Sequence, residues 1–212
     1  EEESRAFMTW QHAAYFISII ITTVVMAIIA WYARRYRKTV PAAGIYLWIA
    51  LLVSLLSLFQ GISLLGPTED WALFWFNMRI PCFAVTPVLW LIFVFHFVGK
   101  PTVLSKARIA LLFVVPVVTQ AMLWTNTWHG LWVARDVLFT RTGPFFIPEH
   151  SVRVIGPFFL THILYANLVT LAGLVVLLVM SVRMERGHRG QAAWLAAGTL
   201  IMLVVTLVPT FN

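Results

Sequence analysis

The chain is poor in charge. Of its 212 residues only 11% are Asp, Glu, Lys or Arg, against roughly 25% in a soluble domain, and 61% are hydrophobic. That excludes an ordinary soluble domain and implies an integral membrane protein. There is one cysteine, Cys82, inside an apolar run, which rules out an internal disulfide and a cysteine metal cluster and leaves packing as its role. No Gly-rich phosphate loop, nucleophile elbow or pair of catalytic carboxylates occurs, so the chain itself is not expected to be an enzyme. The two-His helix spacing of intramembrane metal enzymes is also absent. Fifteen Lys and Arg against eight Asp and Glu give a net charge of +7. These cations form short clusters beside apolar ends, without the size or aromatic interleaving of a nucleic-acid site. Their position suits anionic lipid headgroups, so membrane lipids are expected partners and nucleic acid is not.

What the sequence does have is long apolar runs. Six segments, about 10–32, 43–65, 71–98, 107–124, 154–182 and 191–211, are of a length to cross a hydrocarbon core of about 30 Å at about 1.5 Å per residue. They predict an all-α, polytopic transmembrane bundle, one domain over residues 1–212, with 125–153 the long connection outside the membrane. The first run is not a secretory signal, because its cations Arg34, Arg35, Arg37 and Lys38 follow the apolar stretch instead of preceding it. Pro81 and Pro87 remove backbone donors from the third segment, which is expected to bend there and act as a hinge. Pro116 does the same in the fourth.

The connections sort the cations. Arg34, Arg35, Arg37, Lys38, Lys100, Lys106, Arg108, Arg183, Arg186 and Arg189 fall on one side. Arg5, Arg135, Arg141 and Arg153 fall on the other, and Arg79 lies within the third segment. Ten against four places the ten in the cytoplasm, with the amino terminus and the aromatic connection outside an inner or plasma membrane. Six helices that start outside also finish outside. The ending Val208-Pro209-Thr210-Phe211-Asn212 reads as a chain interrupted at a turn, so a seventh helix is expected beyond it.

Four short patterns carry a family resemblance. The third segment holds Phe74, Arg79, Pro87, Trp90 and Phe93 and leaves through Gly99-Lys100. The connection holds Trp124-Thr125-Asn126 with His129 and Trp132, close to a Thr-Asn-Pro-x-His signature. The fifth segment opens with Gly156-Pro157-Phe158-Phe159, His162 and Tyr165. The sixth has Arg189 and Gln191 at its start and Val208-Pro209 near its end. With these, residues 10 to 212 resemble the seven-helix membrane region at the amino terminus of bacterial and archaeal sensor histidine kinases and diguanylate cyclases. Thr127 departs from the pattern where proline is usual. The resemblance implies a sensory input module of a two-component or related signalling protein, with kinase or cyclase activity carried elsewhere. It also implies a ligand or membrane partner met outside and a homodimer formed through the output region.

The residues beneath that resemblance each have two readings. Arg79 lies about two turns into a membrane helix, where it either snorkels to the interface or faces the bundle interior and pairs with an anionic ligand or with Asp136 or Glu149. His162 and Tyr165 share a helix face while Asn167 points elsewhere. They either bond neighbouring helices or line an outward pocket with Arg79 across from it. Trp124, Trp128 and Trp132 recur every four residues, which at helical spacing gives one aromatic face, either an interfacial belt or a cover over a site formed with Asn126 and His129. The segment reads as a short helix followed by a hairpin turning at Gly143-Pro144. His12 with His162 is the one pair at matching depth for haem, but hydrogen-bonded histidines are the simpler reading and no cofactor is expected. The ligand-binding set is thus Arg79, Asn126, Trp128, His129, Trp132, His162 and Tyr165. An accessory subunit of a larger membrane complex is the alternative function, ahead of a transporter or a redox protein.

Overall fold

The computed structural model describes residues 2–133, 139–142, 145–148, 155–182 and 184–211, with backbone alone over 2–12, the two short strands, 186, 205 and 207–211. Six long helices form the bundle: α1 (Glu2–Tyr36), α2 (Pro41–Leu64), α3 (Glu69–Phe97), α4 (Lys106–Trp124), α6 (Pro157–Ser181) and α7 (Arg186–Phe211). Between α4 and α6 lie the single turn α5 (Asn126–His129) and the strands β1 (Phe139–Thr142) and β2 (Phe145–Pro148). The strands pair antiparallel, Phe139 opposite Pro148 and Thr142 opposite Phe145. A short helix followed by a hairpin is thus the form the connection takes. Among the described residues, α1 from Ala13, α2, α3, α4 and α6 are long and apolar enough to cross a membrane.

The helix ends differ from the apolar runs for local reasons. Helix α3 begins at Glu69, two residues before Trp71, because the Thr68 side chain accepts the Trp71 N–H and Glu69 and Asp70 sit favourably at the positive end of the helix. Ser105 caps α4 by accepting the Arg108 N–H at 3.3 Å. Helix α6 begins only at Pro157, where a missing N–H costs nothing, since the preceding residues pair with the α4–α6 connection. The first helix extends back beyond the apolar run, through the acidic stretch to Glu2, where negative charge suits a helix start.

Helix α3 is the hub. It packs on α2, α4 and α6, while α1 packs on α2, and α7 on α6. Half of the apolar window of α3 is buried against 11% for α1, which marks α3 as the interior helix and α1 as a peripheral one. Small residues allow the close α1–α2 contact, with Ala30, Ala33 and Ala50 buried around Leu47. At the end of the bundle that holds the basic clusters, Phe93 and Val94 of α3 join Leu174 and Leu177 of α6 and Ala192 and Ala196 of α7. At the opposite end, Ile80 of α3 and Leu123 of α4 enclose Trp132 and Val133 from the connection.

Polar side chains stitch the helices. Ser54 of α2 donates to the Thr23 carbonyl of α1 at 3.0 Å, and Thr206 of α7 donates to Asn167 Oδ1 of α6 at 3.0 Å. The Tyr165 hydroxyl of α6 donates to the Leu112 carbonyl of α4. Leu112 lies four residues before Pro116, so its carbonyl is the one that the proline leaves without a helical donor. Tyr165 supplies the missing bond.

Candidate functional site

The connection after α4 is built around Asn126. Its Oδ1 accepts the Trp132 and Val133 N–H groups at 2.9 and 3.1 Å, and its Nδ2 donates to the Val133 carbonyl at 2.9 Å. The chain can fold back onto Asn126 because Gly130 takes a left-handed conformation (φ 63°) and ends α5 after one turn. His129 fixes the same corner. Its Nδ1 accepts the Leu131 N–H at 2.9 Å, so its other nitrogen carries the proton and donates to Thr125 Oγ1 at 3.0 Å, which in turn donates to the Ala121 carbonyl.

From the other side, the residues before α6 close on the same segment. The Gly156 N–H donates to the Trp132 carbonyl and the Phe158 N–H to the Leu131 carbonyl, each at 3.0 Å, and Val133 bridges Ile155. A Cβ on Gly156 would stand 2.1 Å from the Leu131 carbonyl oxygen, which is why glycine occupies that position. Both backbone groups of Trp132 are therefore committed, and its indole is driven into the bundle. Trp132 is 2% exposed whereas Trp128 is 85% exposed. The expectation of one aromatic face through Trp124, Trp128 and Trp132 fails here, because the helix that would have produced it stops at Gly130.

Beneath Trp132 lies a cavity of about 220 Å³ lined by Leu56, Arg79, Ile80, Phe83, Trp132, Phe159 and Ile163. Arg79 does not turn outward along its stem. Its Nη1 donates to Gln60 Oε1 of α2, and its guanidinium carbon sits 3.5 Å from the centre of the Phe76 ring. Its suggested carboxylate partners Asp136 and Glu149 lie outside the described residues, as does the Gly143-Pro144 turn. His162 is fully buried behind the cavity wall, its ring 5.9 Å from Trp132 and 5.8 Å from Phe83. Thr119 Oγ1 donates to the Val115 carbonyl at 2.8 Å, so it accepts from His162 Nδ1 at 2.9 Å, and His162 Nε2 is left without a partner among the described residues. The Trp132 indole N–H is likewise buried and without a partner there.

The structure thus brings Arg79 and Trp132 together on one cavity, with His162 touching its wall. Asn126 and His129 hold the connection rather than line the cavity, Trp128 faces away, and Tyr165 bonds α4. The side chain of His12 is outside the description, so the histidine pair is not placed. Three partners escaped the sequence reading. Gln60 was visible as a lone amide in an apolar run, and Thr119 as a hydroxyl one turn past Pro116's neighbours, but nothing local pairs either with Arg79 or His162. Phe159 stands in the Gly156-Pro157-Phe158-Phe159 pattern, where nothing marks it as a cavity residue.

The family model of the N-terminal 7TM region of histidine kinase matches the chain over residues 15–212. The chain belongs to this family. It is a histidine-kinase membrane region, hence a sensory, membrane-embedded and itself non-catalytic part of a signalling protein. No curated protein and no solved structure matches the chain significantly. Within the family region, the Asn126 and His129 signature is the part that shapes the connection, and the α3 pattern is the part that supplies Arg79 to the cavity.

Proposed function

We propose that this histidine-kinase membrane region detects a ligand or membrane state at the outer face of the inner or plasma membrane and passes the change to a cytoplasmic output domain. The observation that supports this best is the cavity beneath Trp132. Its walls come from α2, α3, α6 and the α4–α6 connection, so an occupant would touch the hub helix and two of its neighbours at once. A ligand moves a conformational equilibrium only by binding one arrangement better than another. Helix α3 suits that task, since Arg79 and Phe83 line the cavity and Pro81 and Pro87 interrupt its hydrogen bonding just below. The moving part is α3, hinged at these prolines, and Trp132 covers the mouth.

The test replaces Arg79, Asn126 and His129 by alanine in turn in the full-length protein and measures output phosphorylation alongside membrane expression. Loss of a buried charge-assisted hydrogen bond, on the order of 1.5–3 kcal/mol, gives a response weakened about ten- to a hundredfold for Arg79→Ala. Asn126→Ala is expected to act nearly as strongly by releasing Trp132, and His129→Ala less. Wild-type output in all three at wild-type protein levels would favour an accessory structural subunit instead.

A further inference from the structure

Arg37 and Lys38, in the turn between α1 and α2, line a hollow of about 480 Å³ at the basic end of the bundle, together with Gly44, Ile45 and Trp48 of α2 and His96 of α3. Among the described residues none that lines it is acidic. Arg37 and Lys38 are exposed, and among the described residues they make no ion pair and no side-chain hydrogen bond. Arg108 and Arg189, at the other basic turns, differ. Arg108 donates to the Val103 carbonyl at 2.6 Å, and Arg189 donates to the Met184 and Val182 carbonyls at 2.7 Å each. Those two are committed to closing their own turns, while Arg37 and Lys38 leave their charge to whatever enters the hollow. His96 adds one ring nitrogen. Its Nδ1 donates to the Ile92 carbonyl at 2.9 Å, so Nε2 alone is left for an occupant. Neutral, Nε2 accepts from a hydroxyl; protonated, it donates to an anionic oxygen.

The hollow changes character along α2. Trp48 stands about 10 Å beyond Pro41 at about 1.5 Å per residue, is 60% exposed, and with Ile45 forms an apolar wall below the cations. A basic rim over an indole and an aliphatic side chain is the profile of a membrane interface, where tryptophan rests at headgroup depth and Lys and Arg meet anionic lipid. A free anion would use the rim alone, whereas an amphiphile uses both parts. We propose that this hollow binds one anionic phospholipid, its phosphate on Arg37 and Lys38, the polar part of its headgroup against His96, and the start of an acyl chain on Ile45 and Trp48. The site lies at the end opposite the Trp132 cavity and does not depend on what that cavity detects.

Phosphatidylglycerol is the probe, titrated into the full-length protein in detergent with lipid occupancy read by native mass spectrometry. One molecule binds at least about tenfold more tightly than phosphatidylcholine with the same acyl chains. The pair Arg37→Gln and Lys38→Gln together weakens that binding about thirtyfold, the equivalent of two cations at the membrane surface. The pair Arg34→Gln and Arg35→Gln removes the same charge from the same helix end but outside the hollow, and leaves the site occupied. Gly44→Leu separates a shaped site from diffuse attraction. A Cβ at Gly44 lies nearest the Arg37 Cβ at 3.9 Å, an ordinary contact, so a larger side chain there enters the hollow and lowers occupancy with every cation in place. Equal binding of phosphatidylcholine would overturn the proposal without recourse to any variant. So would displacement of the lipid by an equal concentration of glycerol 3-phosphate, which would leave a site for a soluble phosphate instead. Equal losses in the two arginine-containing pairs, or unchanged occupancy in Gly44→Leu, would overturn it in favour of general attraction between the basic end and anionic lipid.

Discussion

Among the described residues the buried Trp132 indole N–H has no partner, and a group left so costs about 1–3 kcal/mol, which the arrangement that holds Trp132 in place must outweigh. Three hydrogen bonds to the Asn126 amide supply much of that hold. Asn126→Ala removes all three bonds and is expected to speed amide hydrogen exchange at Trp132 and Val133, and Asn126→Asp, which keeps the two accepted bonds but turns an acceptor oxygen toward the Val133 carbonyl, is expected to speed it too. Wild-type protection in Asn126→Ala would show that the connection is held by other contacts. Gly156→Ala is the complementary case. A methyl 2.1 Å from a carbonyl oxygen forces backbone to move, and overpacking of this kind destabilises by about 1–3 kcal/mol, to be read as a lowered melting midpoint in detergent. At this scale the sequence was only half legible. Asn126 and His129 stood out as polar groups among indoles, but their partners are backbone groups of Leu131, Trp132 and Val133, and these come within reach only after Gly130 reverses the chain. Arg79 was legible as a charge in an apolar helix, while Gln60, on another helix, could be matched to it only in three dimensions.

Helices were the most legible elements, because a bilayer demands about twenty apolar residues for each crossing and these runs are long. Their starts were less so, since Thr68 capping and the pairing of Ile155 are decided by side-chain and loop contacts rather than by hydropathy. The bonds between elements can be tested directly. Tyr165 donates to the Leu112 carbonyl that Pro116 leaves without a donor, so Tyr165→Phe strands that carbonyl. The expected loss is modest, about 0.6 to 2 kcal/mol, in line with interhelical hydrogen bonds in membranes. In a Pro116→Ala background the backbone N–H returns and the loss should shrink. A double-mutant cycle on unfolding in mixed micelles measures the coupling, and additive effects would disprove the pairing. His162 and Tyr165 together bond α4 while Asn167 meets α7, as their spacing on α6 implied.

Over the whole molecule, the basic turns and the Trp132 cavity lie at opposite ends of the bundle. Arg37, Lys38 and His96 gather around one hollow at the first end, and Arg79 and Trp132 line the cavity at the other, with α3 running between them. The proposed function passes a change from the cavity end to the basic end, and so requires that the cavity face outward. The measurement that decides this is accessibility of single cysteines in a Cys82→Ala background to an impermeant maleimide on intact cells. Trp128→Cys and Lys38→Cys suit it, because both positions are exposed and they stand at opposite ends. The account predicts labelling of Trp128→Cys on intact cells and of Lys38→Cys only after permeabilisation; labelling of Lys38→Cys alone on intact cells would contradict it.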